Sequence, residues 1–292
     1  MKIFVADIGG TFIKYAAMNE KAEFFERGKI PTPLDSHENF LQEIVKLYKM
    51  SGCEGIAISL PGIIDSERGF CVTSGFIEHN SEKFLADELK NLCGAKVTLE
   101  NDAKCAALAE AKIGSLADVD TGFVMVFGTA VGGSFVKGGK VYHGKNNLAG
   151  EVSYTMQSSK KDFSDKKVFA EMCGVPVLLK MYADKKNLPV EKISGEDFFG
   201  AVEEKDSDAV DCLAKFTQQI AIKIFNIQMI LDPEKFAIGG GVSAQKTFIN
   251  LIRENLEKVY KNCPVTFPRV EIVPCKFRND ANLIGALFRW LA

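Results

Sequence analysis

The sequence has no excess of either charge: 36 Lys and Arg stand against 38 Asp and Glu, a net of −2 over 292 residues. A chain that engages polyanions needs a basic surplus, so neither nucleic acid nor an anionic membrane surface is an expected partner. No apolar run approaches the ~18 residues that would span a bilayer. The opening MKIFVADIGG lacks a leader's apolar core and passes directly into a strand-like run and a Gly pair. The eight cysteines, from Cys53 to Cys275, include no CxxC pair. They are expected as reduced core thiols of a cytoplasmic protein, not as a disulfide framework. No segment matches GxxxxGK[ST] and no GxGxxG follows a strand, which argues against a P-loop enzyme and a dinucleotide-binding dehydrogenase.

What is present is an ordinary globular balance, 47% hydrophobic and 25% charged, at a length that suits two domains. Apolar runs predict strands over 2–7, 12–18, 23–30, 55–60 and 96–100. Helical spacing is found over 37–50, over 81–93 with Ser81 as N-cap, and over 102–114. The second half repeats the opening: a strand over 121–127, a Gly-rich turn, then a hairpin. Helices are expected over 166–186, 195–204 and 207–231, the last stopped by Asp232 and Pro233, with a strand–Gly turn–helix from 235 to 260. Two α/β halves, each opening with strand–Gly turn–strand, read as an internal duplication. The expected domains are 1–116, joined by a terminal helix over 280–292, and a larger one over 117–279.

Three glycine loops carry the chemistry. In DIGGTFIK (7–14), Gly9 and Gly10 let backbone amides approach a phosphate, Thr11 adds a hydroxyl, and Asp7 can orient Mg²⁺ directly or through water. The alternative is a polar hairpin turn. GTAVGG (128–133) occupies the equivalent place in the second half, where Gly128, Gly132 and Gly133 can wrap phosphate oxygens. AIGGGVSA (237–244) can make room for a flat ring or present helix amides. In LENDA (99–103), Asp102 opens a helix, which fits either an N-cap or a base that takes the proton of an attacking hydroxyl. Asn101 beside it can hold a neighbouring hydroxyl, and Glu151 of AGE can accept from vicinal sugar hydroxyls or lie at the surface.

DIGGTFIK, SLPG (59–62), LENDA, GTAVGG, AGE (149–151) and AIGGGVS, in this order, resemble the ROK family of repressors and sugar kinases. The resemblance runs from residue 2 to the terminal LIGAL. It implies a two-domain actin-like (ribonuclease H-like) α/β fold with an interdomain cleft, and Asp102 as catalytic base. It implies a nucleotide surrounded by Asp7, Gly9, Gly10, Thr11, Lys14, Gly128, Thr129, Gly132, Gly240 and Gly241. Gly62, Ser74, Asn101, Asp102, Glu151 and Glu171 match sugar-holding positions, and a homodimer is implied.

Two departures shape the expectation. Ser153 and Tyr154 stand where the family carries Gly-His, so Tyr154 would shape or stack on the sugar near its anomeric end. The following segment has one cysteine, Cys173, and no histidine, too few ligands for the family's tetrahedral zinc site, so no zinc is expected. His79 is a candidate sugar contact or a lone exposed side chain. The function that results is ATP- and Mg²⁺-dependent phosphorylation of a hexose hydroxyl, the 6-OH of glucose, a related sugar or a β-glucoside. The alternatives are a non-catalytic sugar or nucleotide sensor and a transcriptional regulator of the same family.

Overall fold

A computed structural model describes residues 1–158 and 167–292. The first apolar run forms β1 (Lys2–Ile8), buried from its second residue onward. It turns through Gly9 and Gly10 into β2 (Phe12–Asn19), and β3 (Phe24–Pro31) follows antiparallel. Helix α1 (His37–Ser51) is capped by the Ser36 side chain and stopped by Gly52 in the left-handed region. β4 (Gly55–Leu60) then pairs parallel with β1. After the small hairpin β5 (Ile64–Asp65) and β6 (Phe70–Cys71) come α2 (Leu85–Cys93), β7 (Lys96–Asn101) and α3 (Asp102–Ile113). The sheet order is β3–β2–β1–β4–β7.

β8 (Thr121–Phe127) and β9 (Val131–Lys137) form the second antiparallel hairpin, and β10 (Lys140–Val141) is short. The chain continues through paired β11 (Met156–Ser158) and β12 (Lys167–Val168), α4 (Phe169–Cys173), α5 (Val175–Lys186), α6 (Gly195–Glu203) and α7 (Ser207–Leu231). It ends with β13 (Lys235–Gly239), α8 (Lys246–Lys261), β14 (Glu271–Pro274) and α9 (Ala281–Leu291). β13 is parallel to both β8 and β14, so the order β9–β8–β13–β14 repeats the pattern β2–β1–β4–β7. The duplication read from the sequence is therefore present in the strand order.

Two compact units result: 1–114 with 139–149 and 279–292, and 115–138 with 150–278. Each has its own core, around Phe4, Phe40, Ile58 and Leu89 in the first and Phe127, Phe198, Phe216 and Phe248 in the second. Residues 139–149 return to the first unit from within the second half, a crossing that no change of composition marks. α9 packs along α3 in the first unit, so close that a Cβ on Gly285 would lie 1.8 Å from the Cys105 carbonyl oxygen.

Two local expectations are corrected. The helix expected from residue 81 starts at Leu85, and Ser81 does not cap it. Glu82 is left-handed (φ 56°), and Cys71 exchanges backbone hydrogen bonds with Lys83 and Glu82, so the segment is held extended. Of the single helix expected over 166–186, residue 166 lies outside the described residues, 167–168 belong to β12, and the rest breaks at Gly174, which has extended backbone and whose Cβ would meet the Thr129 carbonyl oxygen at 2.5 Å.

Candidate active site

β1 delivers Asp7 to the end of the first sheet, opposite Lys14 on β2 and Ser59 on β4. Ser59 Oγ donates to Asp7 Oδ1 at 3.1 Å and Asn282 Nδ2 donates to the same oxygen at 2.9 Å. Both bonds fall on Oδ1, so Oδ2 has no protein donor among the described residues. Burial raises the Asp7 carboxyl above the ordinary carboxylate range; the Asn282 bond, the Lys14 charge and the Ser59 bond oppose it in decreasing order. That imbalance suits a carboxylate waiting for a cation. The adjoining loop is held from behind: Thr32 Oγ1 donates to Gly9 O at 2.6 Å, and the Thr32 amide donates to Thr11 O at 3.0 Å. Gly10, Thr11 and Lys14 are exposed beside it.

At the β7–α3 junction the two candidate residues divide the work. Asn101 is the N-cap: its Oδ1 accepts from the Lys104 amide at 3.1 Å, and its Nδ2 donates to Gly62 O at 2.9 Å. Asp102 is therefore the first helical residue and not the cap, with Oδ1 2.7 Å from the Ala103 amide nitrogen and its side chain half-buried. The Gly62 backbone presses on Thr73 and Ser74, and Ser74 is fully buried with its hydroxyl donating to Ile77 O at 2.5 Å. Gly62, Ser74 and Asn101 are thus brought together as a backbone scaffold beside Asp102. His79 is not the exposed residue that was one expectation. Its ring packs on Phe40 and His37, and burial lowers its pKa.

The second unit holds a cavity of about 850 Å³ lined by Gly128, Thr129, Gly241 and Val242, with apolar walls from Pro176, Leu179 and Phe199. Its size and apolar lining suit a nucleoside-sized ligand. The glycines explain how the two loops meet. Gly240 has φ +87°, and a Cβ there would stand 2.0 Å from the Phe127 carbonyl oxygen, so the AIGGG turn lies flat against the start of GTAVGG. The Val175 amide donates to Gly128 O at 2.8 Å, fixing α5 over the same loop. Gly132 is a ladder residue of β9 opposite Val126, and Gly133 makes room for Gly150. Sequence reasoning missed Ser194 and Glu196 at the rim. The SGED segment at 194–197 reads as a capping box, which Ser194 and Asp197 do form, and that signal hides any second use.

Glu151 precedes the turn Val152–Tyr154, which Ser153 anchors through its hydroxyl to the Val131 carbonyl. Tyr154 leaves 65% of its surface exposed, so the ring is free to meet a ligand. α4 packs against this turn, and Glu171 in its first turn accepts from the Val168 amide at 3.3 Å. Glu171 therefore has a structural duty as well as an exposed carboxylate. Cys173 is buried, and burial pushes its thiol up to about 12.

No described helix is long and apolar enough to cross a membrane. The chain is 28% identical over 293 residues to a β-glucoside kinase of Listeria monocytogenes, covering 100% of this chain and 98% of that protein. It is 30% identical over 305 residues to an N-acetyl-D-glucosamine kinase of Vibrio parahaemolyticus, covering 97% of each. A ROK-family glucokinase from Streptomyces griseus, solved with glucose and AMPPNP, superposes with a TM-score of 0.83 at 21% identity over 99% of this chain and 98% of that one. The fold is thus the two-domain actin-like ATPase fold. A sequence profile of the ROK family matches residues 4–292, and the chain belongs to that family.

Proposed function

We propose that this protein is an ATP-dependent sugar kinase that transfers the γ-phosphoryl group to a hexose hydroxyl, the 6-OH of glucose, a related sugar or a β-glucoside. The observation that carries the reading is the division at the β7–α3 junction. Asn101 caps the helix, so the adjacent Asp102 carboxylate is not needed for that purpose. Asp102 accepts the proton of the sugar hydroxyl as its oxygen bonds to the γ-phosphorus and the bond to ADP breaks. Gly62, Ser74, Asn101, Glu151, Tyr154 and Glu171 are the residues assigned to the sugar. An exposed Tyr154 in place of an imidazole favours an elaborated anomeric end, in keeping with the β-glucoside kinases among the relatives.

The nucleotide is assigned to the cavity floored by Gly128, Thr129 and Gly241, with Gly132 and Gly240 behind it, and to Gly9, Gly10, Thr11 and Lys14 of the first loop. Asp7 fits Mg²⁺, since Oδ2 is left to a hard cation or its water while Oδ1 is held in place. Bound there, the ion would neutralise phosphate charge during transfer. The protein is further proposed to act as a zinc-free cytoplasmic homodimer without a nucleic-acid partner.

The test is ADP release with ATP and a panel of glucose, N-acetylglucosamine, N-acetylmannosamine, cellobiose and aryl β-glucosides, for wild type and Asp102→Ala. Wild type should turn over at least one sugar, and Asp102→Ala should fall by about 10²–10⁴. A variant that keeps more than about a tenth of the rate removes Asp102 as the base.

A further inference from the structure

The first unit contains a cavity of about 770 Å³ whose lining includes none of the residues assigned to sugar or nucleotide. Its walls come from α2, β7, α3, β10 and the end of α9. The floor is polar. Glu100 is fully buried there and accepts from His143 Nε2 at 2.8 Å, Ser66 Oγ at 3.1 Å and the Asn101 amide at 2.8 Å. Two further floor atoms are buried without a hydrogen-bond partner among the described residues: Thr98 Oγ1 and Arg289 Nε. Buried polar atoms are ordinarily paired, so these two mark places where a ligand or water belongs.

The rim is cationic. Lys90 on α2, Lys112 on α3 and Lys140 on β10 are exposed, line the cavity and have no ion-pair partner among the described residues. Against them stand Glu67, which is paired with Arg289 at 2.8 Å, and Asp87. Three lysines from three separate elements around one opening attract an anion. Below them the Thr98 hydroxyl and Arg289 Nε, both without a partner among the described residues, suit a ligand that carries hydroxyl groups.

We propose that this cavity binds a phosphorylated sugar, with the phosphate at Lys90, Lys112 and Lys140 and the hydroxyls toward Thr98 and Arg289. The site is separate from the one assigned to phosphoryl transfer and does not depend on that assignment. Glu100 in the cavity floor immediately precedes Asn101 and Asp102, so the cavity adjoins the strand end that carries them.

The test is calorimetric titration of the full chain with glucose 6-phosphate, glucose and inorganic phosphate. It compares wild type, the double variant Lys90→Gln/Lys112→Gln, Thr98→Val, and Glu151→Gln as a control outside the cavity. Glucose 6-phosphate should still bind Glu151→Gln, whose change lies in the site assigned to the sugar, and should bind the double variant about tenfold more weakly or worse. Thr98→Val, which keeps the shape and every charge, should also weaken it. Binding that Glu151→Gln abolishes and the lysine variants leave intact would overturn the proposal, as would no binding at all. Inorganic phosphate binding as tightly as the sugar phosphate would overturn the hydroxyl part.

Discussion

The side chain of Asn282, at the start of the last helix, donates to Asp7 Oδ1 at the end of the first strand across 2.9 Å. One end of the chain thereby orients the carboxylate assigned to the metal ion at the other. Asp7 is buried with its pKa raised, so in the folded protein its ionised form carries a cost that the unfolded chain does not. That cost is absent below the ordinary carboxylate pKa and full above the raised one, so stability falls as pH rises between them. Asp7→Asn keeps an oxygen for Ser59 and Asn282 and removes the charge. It should be more stable than wild type at about pH 7.5, with the gain vanishing toward about pH 4, while phosphoryl transfer is lost. Urea unfolding at the two pH values checks this; a gain that does not shrink on acidification would contradict it.

Asn101 and Asp102 should separate stability from turnover. Asn101→Ala loses the cap and the bond to Gly62, and should cost about 1–2 kcal/mol in urea unfolding. Asp102→Ala should stay within about 1 kcal/mol of wild type, yet lose nearly all activity. If Asp102→Ala destabilises as much as Asn101→Ala, its low activity would report a damaged helix end.

The α3–α9 contact sets a third expectation. With the Gly285 Cβ position 1.8 Å from Cys105 O, Gly285→Ala must push the helices apart, at a cost of about 1–3 kcal/mol or more. Thermal unfolding should show a clearly lowered midpoint. A midpoint equal to wild type would mean that the helices are not so close.

Metal analysis makes a fourth. The single cysteine, Cys173, and the lack of histidine in the segment after Tyr154 predict less than about a tenth of an equivalent of zinc after purification, and no change in thermal midpoint with a chelator. Stoichiometric zinc, or a chelator-induced loss of structure, would contradict this.

Local sequence signals located the elements well because each rests on nearby residues. The Asp232 end of α7 is legible from Asp232 and Pro233, while sequence reasoning missed the Ser36 cap and the Gly52 stop of α1, which are equally local. The other failures are non-local. Ser81 looks like a cap, but pairing of 71 with 82–83 holds its segment extended. Gly174 lies against the Thr129 backbone, which its missing Cβ permits, and Pro176 opens the next helix. Likewise, Ser66, Glu100 and His143 are 34 and 43 residues apart, and only folding makes them one cluster. In the candidate site the glycine loops and the NDA pair were legible as motifs, whereas the cavity walls at Leu179 and Phe199 read as ordinary core positions.

The most direct test of the kinase reading is ³¹P NMR of the wild-type protein with ATP, Mg²⁺ and the sugar that best stimulates ADP release. A sugar-dependent phosphomonoester resonance should grow as the ATP γ-phosphate signal declines, and Asp102→Ala should remove it. Decline of ATP to free phosphate with or without sugar, or unchanged ATP with every sugar of the panel, would contradict the account.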